Sequence, residues 1–155
     1  MLFIFKIFAA GLATVLAVLL LRTIQISMMP DQVLFSKGVV PAVLPNGLYA
    51  GTVAGPRVSW LGKKFNSATK TGINIFSSGQ GSTTEQYPFT FSVGKGSHDP
   101  ISVIRIDYNL RANPLWLRPV LDEIVEIAPD EYLGKLQIRL IPGFPFAATY
   151  FRLKR

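Results

Sequence analysis

The chain has 155 residues, a net charge of +7, 49% hydrophobic and 16% charged residues, and no cysteine. Without cysteine there are no disulfides, thiolate metal sites, cysteine nucleophile or lipidated cysteine anchor, and the single histidine excludes a multi-histidine metal site. The positive charge is spread out, with small clusters at Arg57, Lys63, Lys64 and Lys70 and at Arg152, Lys154 and Arg155. Beside an apolar segment it suits anionic headgroups, and nucleic acid is not an expected partner.

The first element is the run from Leu2 to Leu21, which carries one charge, Lys6. It has about the length that crosses a bilayer core as a helix, roughly 20 residues at 1.5 Å each. It is longer than the apolar stretch of a cleaved leader, and no small-x-small cleavage site follows between Arg22 and Pro30. Residues 1–26 are expected to be a single-pass transmembrane signal anchor. A short N-terminal tail suits an orientation that places the rest on the extracytoplasmic (periplasmic) side of the cell membrane. Residues 27–46, punctuated by Pro30, Gly38, Pro41 and Pro45, read as a tether that lies extended on the membrane or on the domain.

From Gly47 the apolar period changes from helical to two. Leu48 to Val53 is a first strand, Ser59 to Phe65 a second, and Thr71 to Ser77 a third. In Glu85 to Val93, Tyr87, Phe89, Phe91 and Val93 share one face, and Pro88 points to an edge or a bulge. Ile101 to Arg111 is the longest strand candidate. Its face of Ile104, Ile106, Tyr108 and Leu110 is expected inward, and Arg105, Asp107, Asn109 and Arg111 outward. Residues 115–128 fit a helical stripe (Leu117, Val120, Leu121, Ile124, Ala128) and a strand (Leu121, Glu123, Val125, Ile127) equally well. Leu136 to Leu140 and Ala147 to Leu153 close the series. About seven or eight short strands joined by Gly/Pro turns, with at most one short helix, predict a mainly β antiparallel barrel over residues 47–155.

Trp60 sits in Val58-Ser59-Trp60-Leu61-Gly62-Lys63, near the start of this strand series. The segment resembles the Gly-x-Trp stretch of lipocalin-like (calycin) barrels, with Val58 and Ser59 where that pattern has glycine. Strand count and order over residues 47–155 extend the resemblance. It implies a barrel whose interior takes an apolar molecule.

No catalytic constellation is legible. Ser97-His98-Asp99 has the letters of a triad, but adjacent side chains diverge where a triad needs convergence. Gly94-Lys95-Gly96 lacks the phosphate-loop spacing, so no cofactor is expected. Asp122, Glu123 and Glu126 read as an exposed acidic patch. The aromatic set Trp60, Phe76, Tyr87, Phe89, Phe91, Tyr108 and Trp116 either fills the barrel or lines a ligand cavity, and these are the candidate ligand-binding residues. The expectation is a non-enzymatic, membrane-anchored barrel with membrane lipid and a lipophilic small molecule as partners. One alternative is an accessory subunit of a larger membrane protein complex. Another is an enzyme on a lipophilic substrate drawing on Asp107, His98 or Glu123.

Overall fold

Eight antiparallel strands close into an up-and-down barrel in the computed structural model, which describes residues 2–53, 58–79 and 81–155. The strands are β1 (Gly47–Val53), β2 (Trp60–Asn66), β3 (Thr71–Gly79), β4 (Ser82–Lys95), β5 (Ser102–Asp107), β6 (Val120–Ala128), β7 (Glu131–Ile141) and β8 (Phe144–Lys154). Each pairs with its chain neighbours, and β1 meets β8 through Ala50↔Lys154 to Val53↔Phe151, so no edge is left open. Two helices precede the barrel: α1 (Leu2–Ser27) and α2 (Pro30–Lys37). Within α1, the 24 residues Ile4–Ser27 are long and apolar enough to cross a membrane. The basic residue Arg57 lies outside the described residues.

One half of the barrel is packed solid. Tyr49, Phe65, Phe89, Phe91, Ile104, Ile124, Tyr132 and Leu153 are all buried there. Their rings meet edge to face: Phe65 has Tyr49 at 5.7 Å, Phe89 at 5.3 Å and Phe91 at 5.4 Å, and Tyr49 has Tyr132 at 5.5 Å. Space for these rings comes from glycine. A methyl group at Gly72 would collide with the Phe89 ring, and one at Gly134 with the Phe151 ring.

The helices cover the outer wall. Ile26 of α1 and Phe35 of α2 pack with Val103, Val125, Leu133, Ala147 and Tyr150 on the outward faces of β5 to β8. Pro30 occupies the first turn of α2, Asp31 lies near its N-terminus and Lys37 near its C-terminus, each favourable at its place. The tether is thus partly helical and docked rather than extended. Its Gln32 hydrogen-bonds Asp99, Lys135 and Tyr150. The short helix therefore lies before the barrel, and residues 47–155 contain no α-helix among the described residues.

Residues 115–119 turn and Val120–Ala128 is a strand. Its pattern was ambiguous because both faces are buried: Ile124 faces the interior, and Val125 faces the docked helices. The Ile101–Arg111 run is the shortest strand, not the longest. Asp107 accepts the Asn109 backbone N–H at 2.9 Å and turns the chain out of the sheet. Pro88 follows a bulge: pairing slips between Ile73↔Pro88 and Asn74↔Gln86, and Tyr87 between them has φ of 58°.

Candidate functional site

The other half of the barrel is hollow. A cavity of about 540 Å³ opens at the end where β1 finishes and β2 begins. Its walls are Val53, Val58, Trp60, Phe76, Tyr87, Trp116, Leu117, Val120, Leu136, Thr149 and Phe151. Ring pairs brace them: Phe76 with Tyr87 at 5.5 Å, Tyr87 with Trp116 at 5.7 Å, and Trp60 with Phe151 at 5.6 Å. Trp116 remains largely exposed at the rim. The left-handed backbone at Tyr87 aims its ring at this wall. The turn is held by Asn74 Nδ2, which donates to the Tyr87 carbonyl at 2.9 Å.

Where the hollow half meets the packed half lies a polar floor of Lys63, Asn74, Tyr108 and Asp122. Lys63 is 3% exposed and Asp122 2%. The Lys63 ammonium has three donors and three partners: Asn74 Oδ1 at 2.9 Å, Asp122 Oδ2 at 3.0 Å, and the Tyr108 hydroxyl. The Tyr108 hydroxyl donates to Asp122 Oδ2 at 3.0 Å, and Trp60 Nε1 donates to Asn74 Oδ1 at 3.1 Å. Trp60, Phe89, Tyr108 and Phe151 place their ring centres 5.1–5.4 Å from Nζ, a cage suited to a cation. Burial pushes the Lys63 ammonium below its ordinary range, and the Asp122 charge opposes that shift. Burial, then the Asp122 charge, pushes the Tyr108 phenol far up, so it stays protonated. One group is unsatisfied: Asp122 Oδ1 has no hydrogen-bond partner. The floor is therefore a nearly saturated polar network under an aromatic funnel, and the Asp122 oxygen without a partner is buried within it.

Five of the seven candidate residues, Trp60, Phe76, Tyr87, Tyr108 and Trp116, line this cavity together. Phe89 and Phe91 are instead part of the packed half, below the floor. The expected acidic patch is corrected: Asp122 and Glu123 are both buried, on opposite faces of β6. Glu123 faces outward, where it accepts from Ser97 and from Gln137 Nε2 at 2.7 Å. Lys63, placed by sequence in a basic surface cluster, is likewise interior. Its neighbour Lys64 is the exposed one and pairs with Glu85 at 3.0 Å. The signal for Lys63 is its parity with Phe65 on β2, and for Asp122 its parity with Ile124 on β6.

Ser97, His98 and Asp99 turn to three different partners. Ser97 binds Glu123, His98 Nε2 lies 2.6 Å from the Pro145 carbonyl, and Asp99 pairs with Lys135 at 2.6 Å. Asp107 faces outward and is held in a two-point grip by Arg139 at 2.6 and 3.0 Å. None of the three residues considered for an enzyme, Asp107, His98 and Glu123, lines the cavity.

No family model matches the chain, and no curated protein matches it in sequence. The crystal structure of a protein from Thermomonospora curvata is similar, with a TM-score of 0.58 and 15% identity over 80% of this chain and 84% of that one. At that identity the likeness shows the barrel fold alone. The antiparallel barrel expected from about seven or eight strands is present, closed and with eight.

Proposed function

We propose that the protein is a membrane-anchored barrel that binds a lipophilic small molecule in its hollow half. The observation that carries this reading is the cavity itself. Its volume of about 540 Å³ falls within the roughly 300–1,000 Å³ typical of small-molecule sites. An apolar, aromatic wall with a few polar groups at its floor is the lining such sites use. Phe89 and Phe91 pack beneath the floor rather than in the walls, so the open volume is a separate compartment and not a fault in the core. An apolar wall above a floor of Lys63, Asn74, Tyr108 and Asp122 favours a ligand with an apolar body and one polar end. The network of Lys63, Asn74 and Tyr108 acts by orienting that end, since its donors and acceptors already satisfy one another. The role is therefore read as binding rather than catalysis. The anchor keeps the barrel beside the bilayer, where a lipophilic ligand concentrates.

The test is extraction of the full chain in mild detergent, followed by mass spectrometry of co-purified small molecules. Wild type is expected to retain an apolar compound that Leu136→Trp, which fills the cavity, does not. Equal small-molecule content in both, with stoichiometric membrane proteins co-purifying, would favour the accessory-subunit reading instead.

A further inference from the structure

The path of the chain from α1 into α2 sets which end of the barrel meets the membrane. Arg22 Nε donates to the Ala148 carbonyl at 2.9 Å, and Thr23 Oγ1 accepts from the Ala147 N–H at 3.0 Å. Further on, Gln32 meets the Tyr150 hydroxyl at 2.6 Å and Asp31 meets Arg152 at 2.8 Å. The chain thus runs along the outside of β8 in the direction of that strand. The rest of α1, upstream of Arg22, continues the opposite way, past the start of β8. That is the end of the barrel at which the cavity opens.

The β7–β8 hairpin projects at this end, and its composition is unusual for a turn. No charge occurs between Arg139 and Arg152, and the tip reads Leu140-Ile141-Pro142-Gly143-Phe144-Pro145-Phe146. Leu140 is 49% exposed, Ile141 41% and Phe144 38%. Leu115 and Trp116 stand exposed on the neighbouring loop. At the opposite end the turns Asn66 to Lys70, Gly96 to Ile101 and Pro129 to Glu131, with Lys154 and Arg155, are mainly polar or charged, their apolar residues being Ala68, Pro100, Ile101 and Pro129; at the mouth end the flanks of the β3–β4 turn, Ser77–Gly79 and Gly81–Thr84, are polar. Val43, in the linker before β1, is an exposed apolar residue away from the mouth.

We infer that the mouth of the barrel faces the bilayer and that the Leu140–Phe146 tip and the Leu115–Trp116 loop dip into its interface. The inference rests on α1 spanning the membrane and does not require that a ligand be bound. At about 3.3 Å per residue along a strand tilted by about 40°, the Gly143 turn lies on the order of 10 Å beyond Ala148 toward the lipid. Arg22, the first charge after the apolar run, marks the headgroup level at Ala148. The tip therefore reaches the boundary between headgroups and acyl chains, where exposed apolar side chains and Trp are stabilised. A lipophilic molecule would then pass from the leaflet into the cavity without crossing water. Its polar end would lead toward the Lys63–Asp122 floor, and its apolar body would trail back to the lipid.

Because the chain lacks cysteine, single labels are unambiguous. The full chain is reconstituted in phosphatidylcholine–phosphatidylglycerol vesicles containing an acyl-chain nitroxide lipid. An NBD fluorophore is placed in turn at Ile141→Cys, Leu115→Cys, Ala68→Cys and Val18→Cys. Quenching at positions 141 and 115 is expected to be several-fold greater than at 68, with 18 quenched most. Quenching at 18 with 141, 115 and 68 all alike would overturn the inference while leaving the anchor intact. Loss of quenching at 18 would overturn it through the anchor. Quenching of 141 in vesicles but protection of the same label in native membranes would assign the tip to a protein partner and also overturn it. None of these readings depends on ligand content, which is measured separately.

Discussion

Lys63 and Asp122 face one another across the barrel interior, Nζ to Oδ2 at 3.0 Å, from strands β2 and β6 that do not touch as neighbours. Both are buried, so each depends on the other. Removing one partner leaves a bare charge in a low-dielectric site, whereas removing both does not. Asp122→Ala is expected to lower stability by about 3–5 kcal/mol in urea unfolding, and the double change Lys63→Met with Asp122→Leu by far less. A single variant no worse than the double would show that the pair is not mutually dependent.

The tyrosines set the alkaline limit. Burial is the first cause that raises Tyr49, Tyr108, Tyr132 and Tyr150 above the ordinary phenol range. The nearby charge of Asp130 adds to it at Tyr49, Asp122 at Tyr108, Glu126 and Asp130 at Tyr132, and Asp99 and Asp31 at Tyr150. A phenol whose pKa is raised on folding contributes stability that is fully present below the unfolded value of about 10 and lost as pH rises through the folded value. Absorbance at 295 nm is therefore expected to lag behind free tyrosine and then rise together with loss of far-ultraviolet dichroism. Ionisation of these phenols near pH 10 with the dichroism unchanged would contradict their burial.

Gln32 is the polar hub where α2 docks, beside the buried Phe35 and the Asp31–Arg152 pair. Gln32 bridges Asp99, Lys135 and Tyr150, and the Lys135 ammonium also lies 4.3 Å from the Phe35 ring centre. Gln32→Ala leaves buried donors and acceptors without partners, at a cost of about 1–3 kcal/mol. Hydrogen exchange is expected to quicken through Pro30–Lys37 while the packed half of the barrel keeps its protection. Uniform acceleration across both would mean that α2 and the barrel open as one unit.

Much of the barrel was legible because its inward faces are one-sided. Ile104 and Ile106 on β5, with Tyr108 just past its end, and Phe89 and Phe91 on β4, alternate with Arg105, Asp107, Thr90 and Ser92, which meet solvent or surface partners, so period two survives in the sequence. The pattern fails where a strand is covered on both sides. On β6, Asp122 serves the interior and Glu123 the outer wall, and acidic residues next to each other suggest solvent. The short helix α2 has no strong stripe of its own, since its only fully buried side chain is Phe35, and docking rather than propensity holds it. The aromatic half of the site could be picked out by residue type. The polar half could not, because Lys63 and Asp122 lie on different strands far apart in the chain, and only closure of the barrel brings them together.

Close packing around Gly134 is directly testable. The Phe151 ring lies over this glycine, and Phe151 also joins the cavity wall and the cage around Lys63. Gly134→Ala is expected to cost about 1–3 kcal/mol through overpacking, and Phe151→Leu in the same chain to recover part of it. Thermal midpoints of the two variants decide the matter. An unchanged midpoint for Gly134→Ala would mean that the ring can move aside freely.

The central claim is that half of the barrel is open to an apolar guest. The most direct measurement is a fluorescence titration of the purified full chain with N-phenyl-1-naphthylamine, an apolar probe with an amine N–H. Wild type is expected to bind it saturably at one site. Leu136→Trp is expected to lose that binding while keeping the wild-type dichroism. Equal, unsaturable binding by wild type and Leu136→Trp would contradict the claim and leave the cavity without a role.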